Sequence, residues 1–153
     1  MLHPGQPAPA FELPDADMRM WDSAVLTGKN LVLFFYPKDN TTGCTLEAIE
    51  FTDLMEEFDA ADTLVFGISR DDCVSHADFR DRHGLTVTLL ADIDGGLCEA
   101  FGVWQEKERN GEKRFGIVRS SFIIDKQGVL RHALYDVKPK GHAAQILELV
   151  KAL

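Results

Sequence analysis

Cysteine is scarce in this 153-residue chain, with three in all at Cys44, Cys73 and Cys98. No CxxC pair joins them and no Cys/His set has the spacing of a structural zinc site, so a metal-held fold is not expected. Positive charge is also short. The 16 Lys and Arg against 25 Asp and Glu leave a net charge of -9, which repels a phosphate backbone and excludes nucleic acid as a partner. No apolar run approaches the ~18 residues that a membrane helix needs, and the opening MLHPGQPAPAFELP lacks a basic segment followed by an apolar one. A cytoplasmic location is the expectation. Internal repeats, low-complexity tracts and Gly/Ser linkers are missing too. What remains is 45% hydrophobic content, enough for one sizeable core, and the chain reads as a single domain over residues 1–153.

Leu31–Tyr36 and Leu64–Ile68 are short, almost continuous apolar runs, the pattern of strands covered on both faces in a parallel sheet. Between them Phe51, Leu54, Met55 and Phe58 recur at i, i+3, i+4, i+7, while Glu47, Glu50, Asp53, Glu56 and Glu57 fill polar positions. Strand, helix and strand make a right-handed βαβ unit. Ahead of it, Phe11–Leu13 and Met18–Trp21 flank the turn residues Pro14 to Asp17 and predict a hairpin. After it come a helix over 73–83 ending at Gly84, a strand near Val87–Ala91 and a helical turn near Gly96–Phe101. Residues 105–116 are charged and read as a surface loop. Ile117–Ile124 and Val129–Tyr135 then flank Asp125-Lys126-Gln127-Gly128, a second hairpin. Ala143, Ile146, Leu147 and Val150 mark a closing helix. The sum is an α/β fold of thioredoxin-like arrangement, a mixed central sheet flanked by helices with an N-terminal hairpin extension.

The chemistry concentrates where the first buried strand ends. Pro37 to Cys44 runs off its carboxyl end into the first turn of the next helix, the edge at which reactive groups collect in α/β sheets. Unpaired N–H groups and the helix dipole favour an anion there, so Cys44 is expected as a thiolate near neutral pH. A thiolate is the nucleophilic form of cysteine. Arg119, placed mid-strand with the parity of Ile117, Ser121 and Ile123, faces an apolar layer and needs an anionic partner. The Cys44 thiolate is the candidate. His76 and His132 read as hydrogen-bonded structural histidines, and Asp92, Asp94 and Gly95 match only a fragment of a calcium loop.

Pro37, Thr41 and Cys44 together match P-x-x-x-T-x-x-C, and FYPKDNTTGCTLEA resembles the peroxiredoxin Q, or bacterioferritin comigratory protein, branch of the peroxiredoxins. Gly5 to Leu13, GISRD at 67–71 with Ser75, His76 and Phe79, FGVW at 101–104 and RSSFIIDKQG at 119–128 extend that resemblance over nearly the whole chain. The resemblance implies reduction of hydrogen peroxide and organic hydroperoxides without metal, haem or other cofactor. It implies that Cys44 is the peroxidatic cysteine, that Thr41 contacts the peroxide, that Pro37 shields the pocket and that Arg119 completes it.

The likeness fails at the second sulfur. Members of that branch place a resolving cysteine five residues after the first or in the next helix, and those positions here hold Ile49 and Arg80. The expected behaviour is therefore one-cysteine, with the Cys44 sulfenic acid captured by thioredoxin, glutaredoxin or glutathione, in a chain expected to be monomeric. Resolution by Cys73 is the alternative. A dithiol oxidoreductase would need a cysteine beside Cys44, and Gly43 and Thr45 to Glu47 supply none. A non-catalytic binding or holdase module on the same fold would show no peroxide chemistry at all.

Overall fold

The computed structural model describes residues 1–153. Its centre is β3, Asn30–Phe35, every residue of which is buried. Because strand side chains alternate, Val32 and Phe34 enter one apolar cluster while Leu31, Leu33 and Phe35 enter another on the opposite face. Strand β3 runs parallel to β4 (Thr63–Ser69), which runs parallel to β5 (Thr88–Ala91). On its other side β3 pairs antiparallel with β8 (Ser120–Ile124), and β8 with β9 (Leu130–Leu134), giving the order β5-β4-β3-β8-β9.

The chain steps from β3 to β4 to β5 in one direction. Right-handed crossovers then put α1 (Thr42–Asp53), α2 (Met55–Ala60) and α3 (Cys73–His83) on one face, where Phe51, Phe58 and Phe79 join Ala143, Ile146, Leu147 and Val150 of α5, His142–Lys151. Phe34 stacks on Phe51 with centroids 4.3 Å apart, an aromatic pair worth about 0.5–1.5 kcal/mol beyond its buried area. The opposite face is closed by α4 (Gly96–Ala100) and by the short hairpin of β1 (Glu12–Pro14) and β2 (Met20–Asp22), through Phe11 and Trp21 against Phe66. The mixed sheet, its flanking helices and the N-terminal hairpin are those expected from the sequence.

Three local expectations are corrected. The apolar stripe from Phe51 to Phe58 spans two helices, because the chain leaves α1 at Leu54 (φ -104°, ψ 5°) and restarts at Met55. Phe51 and Phe58 still reach the core. Residues 105–116 are no loop: β6 (Trp104–Arg109) and β7 (Glu112–Ile117) pair antiparallel around Asn110 and Gly111, with φ of 53° and 80°. An Asn-Gly turn of that conformation matches the strand twist, and the ribbon escapes pattern reading because most of it is exposed and charged. Finally, Ile117–Ile124 is not one strand. Strand β7 stops at Ile117 and β8 starts at Ser120, because the Val118 N–H turns to the Val103 carbonyl and the Arg119 carbonyl accepts from Val137. Arg119 thus lies in a break between strands, and its strand parity with Ile117 and Ser121 does not hold.

Candidate active site

Cys44 is the third residue of α1, with Thr41 as N-cap in extended conformation, φ -85° and ψ 156°. The side chain of Thr41 does not cap the helix. Its Oγ1 donates to the Lys38 carbonyl at 2.8 Å, while its own carbonyl accepts from the Thr45 N–H and Oγ1. The first turn is thereby tightened from both sides, and Cys44 within it is only 1% exposed. Pro37 is exposed one residue past the buried Tyr36.

Arg119 reaches the site from the break between β7 and β8. Its Nη2 stands 3.3 Å from Cys44 Sγ, and its Nη1 donates to Glu47 Oε1 at 2.7 Å. The structure therefore brings Cys44 and Arg119 together as expected, and adds Glu47. The sequence pattern gives Glu47 a polar helix position. It is instead fully buried, one turn along α1, and its second oxygen Oε2 has no hydrogen-bond partner. Burial pushes its carboxyl up to about 7 against the opposing pull of Arg119. Burial disfavours the Arg119 charge, yet Glu47 and Cys44 outweigh it and hold the guanidinium above its ordinary range. An acidic residue at a helical spacing of three from a cysteine was the only sequence signal for Glu47.

Space at Arg119 is tight. A Cβ on Gly43 would meet Arg119 Nη2 at 3.2 Å and Pro139 Cγ at 3.4 Å, so the absent side chain admits the guanidinium beside the helix. Two further residues went unread in the sequence. His142 is buried at the start of α5, bonded to Ser121 Oγ at 2.7 Å, with burial lowering its pKa below 6.5. Lys107 on β6 lies within electrostatic reach of the site. Burial and the Arg119 charge pull it below the ordinary lysine range, and Cys44 opposes them. Lys107 also edges a groove of about 440 Å³ that Pro37, Ile93, Trp104 and Phe115 line, with Arg70 stacked over Trp104 at 4.5 Å. A roomier depression, about 580 Å³ among Asn30, Ala61, Lys126 and Val150, lies at the opposite end of β3.

Cys98 is fully buried and Cys73 half-buried at the start of α3. Burial and Asp92 push the Cys98 thiol far up, and burial with Asp72 and Asp15 raises that of Cys73. Asp39, Asp71 and His76 form the cluster whose composition could suit a metal ion. These groups face one another and the protein: both Asp39 oxygens take Tyr36, Ser75 and His76, and Asp71 Oδ2 accepts from Ser69 Oγ and the Asp39 N–H. His76 is the hydrogen-bonded structural histidine that the sequence suggested, held between Asp39 and the Leu90 carbonyl.

A family model described as the AhpC/TSA family matches residues 4–133. The chain belongs to that family. Peroxiredoxin Bcp of Bacillus subtilis is 42% identical over 147 residues, which cover 96% of this chain and 94% of the relative. Peroxiredoxin Bcp of Escherichia coli is 39% identical over 98% of this chain and 96% of its own length. Among solved structures, the bacterioferritin comigratory protein of Xanthomonas campestris, described for its alkyl peroxide reduction activity, superposes with a TM-score of 0.91 at 36% identity over 98% of both chains. The peroxiredoxin Q of Xylella fastidiosa gives 0.94 at 35% identity over 99% of this chain and 97% of that one. This chain is thus a peroxiredoxin of the Bcp/PrxQ branch, a thiol peroxidase on a thioredoxin-like fold. No helix in it is long and apolar enough to cross a membrane.

Proposed function

We infer that Cys44 is the peroxidatic sulfur and that Arg119, Thr41 and Pro37 form the pocket around it. The observation that carries this is the 3.3 Å approach of Arg119 Nη2 to Cys44 Sγ at the N-terminal turn of α1. The guanidinium and the N-terminal turn of α1 place donors around the reacting sulfur, whose thiolate is the nucleophilic form. As sulfur attacks the distal oxygen, the O–O bond breaks and negative charge moves to the departing oxygen, which the same donors stabilise. The departing alkoxide or hydroxide takes a proton and leaves as alcohol or water. The peroxide has gained two electrons and Cys44 has become a sulfenic acid. Thr41 Oγ1, both donor and acceptor, orients the peroxide, and Pro37 shields the sulfur from bulk solvent.

Hydrogen peroxide and organic hydroperoxides are the substrates. The groove beside Pro37 supports the organic class, since Ile93, Trp104 and Phe115 offer an alkyl group a surface among the charged Arg70 and Lys107. The sulfenic acid then condenses with an external thiol, forming a mixed disulfide and releasing water. Ile49 and Arg80 at the usual resolving positions, together with the raised thiols of Cys73 and Cys98, support a reductant outside the chain. Thioredoxin, glutaredoxin and glutathione are the candidate classes, acting on a monomer in the cytoplasm. Stopped-flow peroxide consumption tests the central assignment: the parent protein is expected to react far faster than a free thiol and Cys44→Ser not at all. Activity retained in Cys44→Ser would move the nucleophile to another cysteine.

A further inference from the structure

The segment 37–41 that leads into the first turn of α1 carries no secondary structure of its own, yet it is pinned from below by a buried polar network. Asp39 is its anchor, 5% exposed in the middle of an otherwise exposed stretch. Asp39 Oδ1 accepts from the Tyr36 hydroxyl at 2.6 Å, and Oδ2 faces Ser75 Oγ at 2.8 Å and His76 Nδ1 at 2.7 Å. The Asp39 N–H donates to Asp71 at 2.9 Å. His76 is fully buried, and its Nε2 lies 2.9 Å from the Leu90 carbonyl on β5. The imidazole therefore spans from the loop carboxylate to the neighbouring sheet, and each ring nitrogen faces an acceptor. Burial and the Asp39 carboxylate hold the Tyr36 phenol well above its ordinary range, which keeps it a donor. Beside this, Asn40 adopts a left-handed conformation, φ 62°, and donates to Asp78 on α3 at 3.3 Å. A non-glycine residue in that region persists where its surroundings hold it.

Such an investment in buried polar groups is not needed to close the core, since apolar side chains would fill the space at lower desolvation cost. What it adds is direction. A fully satisfied network admits one arrangement and so fixes one loop geometry. The loop it fixes is the one that carries Pro37 and Thr41 into the first turn of α1, where Cys44 lies. Cys44 is 1% exposed, so a thiol on a protein or peptide reaches its sulfur only after the first turn of α1 and its leading loop open, while a peroxide is small enough to need far less room.

We propose that Asp39 and His76 are positioning residues for the peroxide step, holding segment 37–41 in its closed form, and that their release is what exposes Cys44 to the reducing thiol. This rests on Cys44 being the peroxidatic sulfur. The pair favours one half of the cycle at the expense of the other, because the contacts that place Pro37 and Thr41 are those that must part for resolution. Loosening the pair moves the two half-reactions in opposite directions.

The test uses the full chain with His76→Asn, Asp39→Asn and Tyr36→Phe, the last keeping the ring and removing only one hydrogen bond to Asp39. Two rates are read: peroxide consumption, and labelling of the Cys44 peptide by 5,5′-dithiobis(2-nitrobenzoate), a reagent too bulky for the closed site. For His76→Asn and Asp39→Asn the peroxide rate is expected to fall by roughly tenfold or more, as for a misplaced catalytic group, while labelling accelerates by about the same factor. Tyr36→Phe shifts both rates with the same signs and smaller size, and it carries the test if the other two do not fold. Leu97→Ala on the opposite face of the sheet is the control for lost stability, and both rates there stay within about twofold of the parent. Unchanged rates, or rates that fall together, in variants whose parent reacts at Cys44 overturn the proposal. Peroxide activity that survives Cys44→Ser overturns the assignment of the sulfur instead.

Discussion

Glu47 Oε1 accepts a 2.7 Å hydrogen bond from Arg119 Nη1, while the same guanidinium donates through Nη2 to Cys44 Sγ, one helical turn away. Arg119 is thus held in a fork between two residues of α1, both buried, and its own side chain is only 14% exposed. A lone guanidinium buried to that degree would be costly, and a lone buried carboxylate equally so. Each makes the other tolerable. Glu47 also fixes the plane of the guanidinium, so that an Nη2 hydrogen is aimed at the sulfur.

Removal of the donor is expected to act on the chemical step. Arg119→Ala and Thr41→Val should each slow peroxide consumption by roughly 100- to 1,000-fold, the loss usual for one preorganised group. Arg119→Lys should recover little, because an ammonium cannot bridge Cys44 and Glu47 in one plane. Stopped-flow rates decide this, and a variant within about twofold of the parent removes that residue from the site.

Gly43→Ala tests how closely the guanidinium is seated. The added methyl lies 3.2 Å from Arg119 Nη2 and 3.4 Å from Pro139 Cγ, so one of them must shift by a few tenths of an ångström. Gly43 is the second residue of α1 and has no left-handed backbone to strain, so the variant is expected to fold while its peroxide rate drops by about tenfold. Full activity in a well-folded Gly43→Ala protein would show that Arg119 tolerates displacement.

The Glu47 carboxyl titrates in a range where its effect on stability can be measured. Burial raises it from 4.5 to about 7, so the folded state holds the proton more tightly than the unfolded chain. The stability that follows is complete below pH 4.5 and is lost as pH rises through about 7. Urea unfolding of the parent should therefore weaken by about 3 kcal/mol across that window relative to Glu47→Gln, which has no proton to lose. His142, lowered from 6.5 by burial, contributes stability above that value that is lost as pH falls through its lowered one. It does so in both proteins and cancels in the comparison. Parallel pH profiles for parent and variant would refute the buried titration.

The fate of the oxidised sulfur separates one-cysteine from two-cysteine behaviour. One equivalent of peroxide, followed by non-reducing digestion and mass spectrometry, should yield Cys44 sulfenic acid that excess peroxide drives to sulfinic acid. A mixed disulfide should form once an external thiol is added. A dominant Cys44–Cys73 peptide would instead make the protein an atypical two-cysteine peroxidase, in which α3 opens at its N-terminus to deliver Cys73.

Much of the molecule was legible in the order of residues. Leu31–Tyr36 declared a strand buried on both faces, Ala143 to Val150 a helix with one apolar face, and Gly84 and Asp125 to Gly128 a helix end and a turn. These depend on local periodicity and turn chemistry, which neighbouring residues settle among themselves. The placement of Cys44 at the start of a helix beyond a buried strand was equally local, and it carried the chemistry with it. Ile49 and Arg80 could also be read directly, as the absence of a second sulfur.

Tertiary structure alone decided the rest. Pattern reading placed Glu47 among the polar residues of its helix, because a carboxylate is at home in solvent unless something distant compensates its burial. The compensating group is Arg119, 72 residues on, and it arrives only because the backbone leaves the sheet at Val118 to bond Val103 and Val137. His76 reads from the sequence as a hydrogen-bonded structural histidine, but its partner Asp39, 37 residues away, is named only when the fold closes the two on each other. The physical reason is common to both pairs: the free energy of a buried charge is set by what faces it across the core, and no periodicity within one element encodes a partner supplied by another.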